Sequence, residues 1–574
     1  MPIHASRPLL LADAAWRLGA RPVTLLLLHR MRVALGRPQR ALPDGRPAVA
    51  PFLPESALPP PAVDGTAVLH AVAALPPPTH GRFDPAAHAL ALDLFAPGDV
   101  RPVWEANRLA EIPLLAMAQR LDPGGGHGAQ AEARLGAWCA SNPPFRGPNW
   151  ACGQEAALRA LHLGLGHALA GGGAVPAGLR ALLRAHARRI AATRAYAAAQ
   201  DNNHAISEPA GAFACALLLG EDPAPHAAAL AAAVARLVEP AGGFAPVSTG
   251  YHRLLLDVLA VAEWLRRFHG APPFPAPLPA RAAAATRWLL RLHDPATGAL
   301  PRLGHADGSR FADLSLGGAA DARGSLERAA RLFLGASAEH RGDPGCAWLD
   351  LPVPGAVAAG EARWCAAGSR GWARDGARAV LRTGPLRFRP GQSDLLHLDL
   401  WDGAVNLLRD GGTLSYNPAP AQRAAAAALE DAGGHDAVVF DDREPMPRAG
   451  RFLRARWPAT GLLPEGAWSR DRRGNRHARS LSGEGRCWIV TDTLSGPFRS
   501  AALRWRLPPA EWRSTGSGVA SALGRVSVAA DAPVELSLAL GQEAPRYGEL
   551  REVPVLCARV ARPATRLVTT IELP

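Results

Sequence analysis

Between Trp104 and Leu334 the chain runs in long alanine- and leucine-rich segments broken by Gly and Pro, and after Pro344 that pattern stops. No single motif constrains the fold as much as this switch. The segments 104–121, 150–170, 177–199, 210–219, 224–238, 250–269 and 279–293 have helical length and periodicity, and their short breaks make them successive hairpins. Several are apolar around most of their circumference, as inner helices of two concentric layers should be, whereas Arg184, Arg188 and Arg189 mark a more solvated outer helix. The pattern predicts an incomplete α/α toroid. Downstream, the runs 379–383, 395–401, 437–440 and 487–491 are short, rich in strand formers and free of intervening helices, which predicts an antiparallel β-sandwich. A chain of 574 residues also exceeds the size at which one core keeps growing. The expected division is an N-terminal extension over 1–95, a toroid over 96–345 and a sandwich over 346–574. The extension holds a basic amphipathic helix within 1–35 and a Pro-rich connector over 37–62.

The formal charge of +13 comes entirely from arginine, because the chain has no lysine. The arginines are scattered rather than clustered, so no nucleic-acid partner is expected, although an anionic polymer would still feel the field. The seven cysteines are odd in number and widely spaced, without a C-x-x-C pair, and read as small buried residues. No apolar run approaches the ~20 residues of a membrane span. A signal peptide is not evident, so the expectation is a cytoplasmic protein, with the periplasm as the alternative. Oligomeric state is not legible.

Asp201-Asn202-Asn203-His204 and Ser248-Thr249-Gly250-Tyr251-His252-Arg253 place rare polar groups in alanine-rich surroundings. Tyr251 is one of four tyrosines, and His252 and Arg253 beside it are expected to ease formation of its phenolate. An amide, an imidazole and a phenol suggest a carbohydrate-cleaving site. The simpler alternative is that Asn202 and Asn203 only cap helix ends. Both segments lie at the start of successive inner helices, so they can face one toroid mouth. Glu155 and Glu208 are helix carboxylates near the same mouth and could instead form the acid and base pair of a glycoside hydrolase.

Asn202-Asn203-His204, the Ser-Thr-Gly-Tyr-His-Arg run and Gly391-Gln392-Ser393-Asp394 through Trp401 together resemble the heparinase II/III family of polysaccharide lyases. Asn142-Pro143-Pro144, Asn149 through Glu155, and Asp294-Pro295-Ala296-Thr297-Gly298 through Asp307-Gly308 follow in the same order. The resemblance implies a toroid followed by a β-sandwich and β-elimination on a uronic-acid polysaccharide. Asn203, assisted by His204, would neutralise the uronate carboxylate, and Tyr251 would act as base. Asn202, His252, Arg253, Glu155, Glu208, Gln392 and His397 are expected to contact substrate. The family's catalytic histidine is absent, because Pro390 stands there; either His397 compensates, or the Asn-His-Tyr set suffices, or the protein binds glycans without cleaving them. No cofactor is required, but the resemblance implies a structural zinc in the sandwich. Asp410 and His435 match two of its ligands while Gln392 replaces the first, and His397 and Asp399, alternating on one strand face, leave a rearranged site open.

Overall fold

In the computed structural model, which describes residues 7–54, 58–77, 80–96, 98–245 and 247–574, the helix Gly153–Leu169 is buried along its whole length. Its neighbours explain why. The inner helices Glu111–Leu121, Gly153–Leu169, His204–Leu219, Thr249–Phe268 and Arg323–Phe333 pack each on the next, with His127–Ser141, Ala177–Ala192, Ala224–Leu237 and Leu278–Leu290 behind them. Two inner helices meet closely enough that a Cβ on Gly211 would lie 2.5 Å from the Ala157 Cα, so glycine is required there by the approach of the backbones.

The predicted helices are present with shifted ends. Segment 104–121 is two helices, Arg101–Ala106 and Glu111–Leu121, and 177–199 is Ala177–Ala192 followed by Arg194–Gln200. His127–Ser141 and Arg323–Phe333 were hidden. The second buries charged residues as ion pairs, Arg331 with Glu327 at 2.7 Å and Arg328 with Asp257 at 3.2 Å, and buried charges erase the apolar periodicity that marks a core helix.

Residues 1–6, 55–57 and 78–79 of the N-terminal stretch lie outside the described residues. Leu42, Phe52, Val68, Val72 and Ala89 share one core with the toroid, so much of the expected extension is packed onto it. Ahead of these, the helices Arg7–Leu18 and Ala20–Ala34 bridge the two bodies. The first touches the strands Arg448–Gly450 and Leu453–Arg454 of the sandwich, and the second packs on the toroid helix Arg194–Gln200.

The second half is stacked sheets with its own core, built on Leu398, Leu400, Val490, Leu503, Trp505 and Ile571 among others. A five-stranded meander runs from Arg363–Ala366 to Val405–Leu408. An eight-stranded sheet has Cys487–Ser495 and Arg566–Glu572 near its middle, and a four-stranded sheet holds Val534–Glu543, Arg551–Ala561, Ser500–Arg506 and Val438–Phe440. Neighbouring strands pair antiparallel. In Cys487–Ser495 the residues Trp488, Val490, Asp492 and Leu494 are buried in alternation, as period-2 geometry demands.

Candidate active site

Asp201 ends the helix Arg194–Gln200 in a left-handed conformation, φ 44°, which is unfavourable for a residue with a Cβ. Arg236 holds it there with two bonds, 2.6 and 2.7 Å, and Arg21 adds a third at 3.2 Å. This corner aims the next three residues. Asn202 caps, its Oδ1 accepting from the His204 N–H at 3.1 Å, whereas Asn203 makes no side-chain cap and instead donates to Gln154 Oε1 at 2.6 Å. Ser248 caps the facing helix by accepting from the Tyr251 N–H at 3.1 Å, which puts Tyr251 in the first turn.

Asn202, Asn203, His204, Tyr251, Glu155, Glu208 and Gln392 all line one cavity of about 510 Å³ at the junction of the two bodies. The sandwich closes it with a strap that includes Arg387, Arg389, Pro390 and Gln392, and with Tyr416. His252, Arg253 and His397 do not line it. Consecutive helix residues are 100° apart, so the neighbours of Tyr251 face elsewhere. His252 is buried on Ala285 O at 2.9 Å and stacks on Trp288, and Arg253 bonds Ser325 Oγ at 3.0 Å and Ala319 O at 2.9 Å. His397 lies inside the sandwich, so it does not compensate at the cavity for the histidine replaced by Pro390.

The electrostatics of Tyr251 also differ from the expectation. Burial and the neighbouring Asp307 push its phenol well above the ordinary value, and Tyr416 and Arg101 offset only part of this. Its hydroxyl lies 2.7 Å from that of Tyr416. Asp307 is itself paired with Arg101 at 2.8 Å. For His204, burial alone would favour the neutral ring, but Cys152 and Glu208 carry it up to about 10. Its Nδ1 is 3.4 Å from Glu208 Oε1, a pairing that favours the protonated ring.

Glu155 is locked in a bidentate pair with Arg108, both bonds 2.7 Å and both partners buried. Burial would raise its carboxyl, but Arg108 holds it below the ordinary value, the opposite of what a hydrolytic general acid needs. Glu208 packs against the first turn of Gly153–Leu169, where a Cβ on Gly153 would meet its carboxylate at 2.7 Å.

Sequence reasoning missed Tyr416, Tyr196 and Arg389. Tyrosine scarcity was the available signal, because Tyr196, Tyr251 and Tyr416 line the cavity and the hydroxyl of Tyr547, the fourth, accepts from the Tyr416 N–H at 2.8 Å. Arg389 lines the cavity with no ion pair or hydrogen bond among the described residues, and burial pushes its guanidinium below the ordinary value, with only Tyr196 and Asp201 acting against this.

In the sandwich interior His397, Asp410 and His435 come together fully buried, with ligand-capable atoms within 4.8 Å of one another. His435 Nδ1 is 2.9 Å from Asp410 Oδ2, and His397 Nε2, His435 Nε2 and Asp399 Oδ2 have no hydrogen-bond partner. The Asp436 backbone N–H donates to His397 Nδ1 at 3.0 Å, which places the proton of the neutral ring on Nε2. That nitrogen then faces the Asp399 and Asp410 carboxylates, at 3.7 and 4.0 Å, as a donor, and has no lone pair for a metal. Gln392, the residue at the first ligand position, points its amide nitrogen toward Gly412 O and Thr413 Oγ1 at 3.4 and 3.5 Å. Gln392 is thus not placed as a ligand, and a zinc ion would have to be held by the rearranged set His397, Asp410 and His435 with the His397 ring turned.

With that geometry in place, residues 358–567 match the family model described as Heparinase II/III-like, C-terminal. Over those residues the sandwich is similar to that family's C-terminal domain. Among solved structures, the chain is similar to heparinase III (14% identity, 81% of this chain and 76% of that one, TM-score 0.60). It is also similar to the heparan sulfate lyase HepC of Pedobacter heparinus (16%, 95% and 90%, TM-score 0.56). A further heparinase III, the BT4657 gene product, aligns at 15% identity over 83% of this chain and 80% of that one, TM-score 0.57. No curated protein sequence matches significantly. The likeness in fold, helical toroid plus β-sandwich, therefore extends over 81–95% of the chain.

Proposed function

We propose that this heparinase II/III-like protein is a polysaccharide lyase that cleaves a uronic-acid-containing polymer by β-elimination. One observation carries the reading: Asn203, His204 and Tyr251, from two different inner helices, converge on a single cavity with a cationic imidazole and an unpaired Arg389 in its wall. Those are groups that an acidic sugar needs and a neutral one does not. In the reaction the C5 proton leaves, its electron pair delocalises toward the uronate carboxylate, the C4=C5 double bond forms, and the C4–O4 bond breaks with a proton delivered to O4. Asn203 and the His204 imidazolium neutralise the carboxylate as charge develops. Tyr251 takes the C5 proton and returns one to O4. Burial and Asp307 oppose its phenolate, so the reactive fraction of the enzyme grows as pH rises.

The hydrolytic alternative loses support because Glu155 is committed to Arg108. Glycan binding without cleavage stays distinguishable by experiment. A panel of uronate polymers is incubated with the protein while absorbance of the conjugated product is followed in the ultraviolet. An absorbance rise supports the lyase, reducing ends without it would mean hydrolysis, and binding with neither product would leave a glycan-binding protein.

A further inference from the structure

The helix Ala20–Ala34 is amphipathic with its apolar ridge turned outward. Ala20, Thr24, Leu27, Leu28, Met31, Ala34 and Leu35 recur at spacings of three and four and are all exposed, Leu27 at 59%, Met31 at 53% and Leu35 at 51%. Its opposite stripe, including Pro22, Leu26, His29 and Val33, is the face turned toward the protein, where His29 and Val33 line the cavity. The preceding helix Arg7–Leu18 exposes Leu9 at 64% and Trp16 at 85%, one helical face apart by seven residues. Such a ridge on a folded surface is a site for something apolar.

The charge around it selects the occupant. Residues 7–41 hold seven arginines, Arg7, Arg17, Arg21, Arg30, Arg32, Arg37 and Arg40, against the single carboxylate of Asp13. Asp13 is already taken by Arg17 at 2.8 Å, by the Arg456 N–H at 2.6 Å and by Arg472. Arg7, Arg30, Arg32 and Arg37 are exposed and make no ion pair among the described residues. A second copy docked on the ridge would bring these cations against their own images. An acidic polysaccharide would use the arginines but leave the leucines wet. An anionic bilayer surface meets both requirements, because headgroups neutralise the guanidinium groups while Leu, Met and Trp side chains enter the boundary with the acyl chains.

We infer that the N-terminal helical hairpin is an interfacial docking element that seats this protein on anionic lipid. No membrane crossing is involved, since no helix among the described residues is long and apolar enough for one. Because the other face of the same helix is cavity wall, docking sets that wall beside the lipid surface.

The test uses the full chain and large unilamellar vesicles of phosphatidylcholine, alone or mixed with phosphatidylglycerol, in a cosedimentation assay. The expected result is binding to the mixed vesicles that weakens with added salt and falls at least ~10-fold in Leu27→Ser/Met31→Ser/Leu35→Ser. These side chains are exposed and outside the cavity, so circular dichroism melting and any ultraviolet-detected turnover should match the parent. Failure to sediment with mixed vesicles at low salt would overturn the inference. So would binding that survives the triple substitution. A parent that is dimeric by analytical ultracentrifugation and becomes monomeric on the triple substitution would assign the ridge to a second copy instead.

Discussion

Replacing Tyr251 by Phe keeps the ring and deletes one oxygen, so it isolates the group on which the proposed chemistry turns. The lost oxygen lies 2.7 Å from Tyr416 Oη, and its removal leaves that partly buried hydroxyl short of a partner. The stability cost should be about 1–3 kcal/mol, small enough for the variant to fold. Its catalytic cost should be larger. A group that carries the proton contributes on the order of 10²–10⁴-fold, which at about 1.4 kcal/mol per decade is roughly 3–5 kcal/mol of barrier. Tyr416→Phe provides the control, because it breaks the same hydrogen bond from the other side at a similar stability cost, yet should lose less than about tenfold in turnover. Melting would be followed by circular dichroism and turnover by ultraviolet absorbance on whichever uronate polymer the panel identifies. Tyr251→Phe with turnover within about threefold of the parent would refute the proton-carrying role. A Tyr416→Phe loss as severe as that of Tyr251→Phe would move that role to the pair.

The pH profile should rise through the neutral range as the Tyr251 phenolate becomes accessible and fall near the value of about 10 at which His204 loses its charge; an optimum below neutrality would contradict this. The same histidine has a folded value above its unfolded one, so its contribution to stability is complete below about pH 6.5 and disappears as pH rises through about 10, a loss that chemical denaturation should show for the parent and not for His204→Asn. Arg389→Gln should raise KM for an acidic polymer about tenfold while leaving the melting temperature unchanged, since Arg389 makes no contact that the fold depends on; an unchanged KM would remove it from substrate binding. Glu155→Gln should destabilise by about 3–5 kcal/mol, because it leaves Arg108 buried beside a neutral amide, and a smaller loss in denaturant titration would mean that Glu105 and solvent compensate. Elemental analysis should find no stoichiometric zinc, and a chelator should not shift melting; one zinc per chain would show that His397 turns its lone pair inward after all.

The sequence by itself determined the change from helices to strands, because burial on two sides of an inner helix and on one face of a strand each impose a period that survives in composition. It also determined which polar residues stand at the starts of inner helices, since Asp, Asn and Ser at such junctions have a local capping chemistry. Only the tertiary structure decided which of those residues share a space. The sequence places Tyr251, His252 and Arg253 side by side, but helix geometry sends one to the cavity, one to Trp288 and one to Ser325. Tyr416 lies 165 residues from Tyr251 and reaches it only because the sandwich folds back over the toroid mouth. Charge state was decided in the same way. The nearest charges in sequence leave Tyr251 unaided, while distant Asp307 opposes its ionisation, and the His204 ring is favoured in its protonated form by Cys152, at the N-cap of another inner helix, and by Glu208. Local periodicity is written in neighbours along the chain, but electrostatics depends on distance through space, and that distance is set by packing.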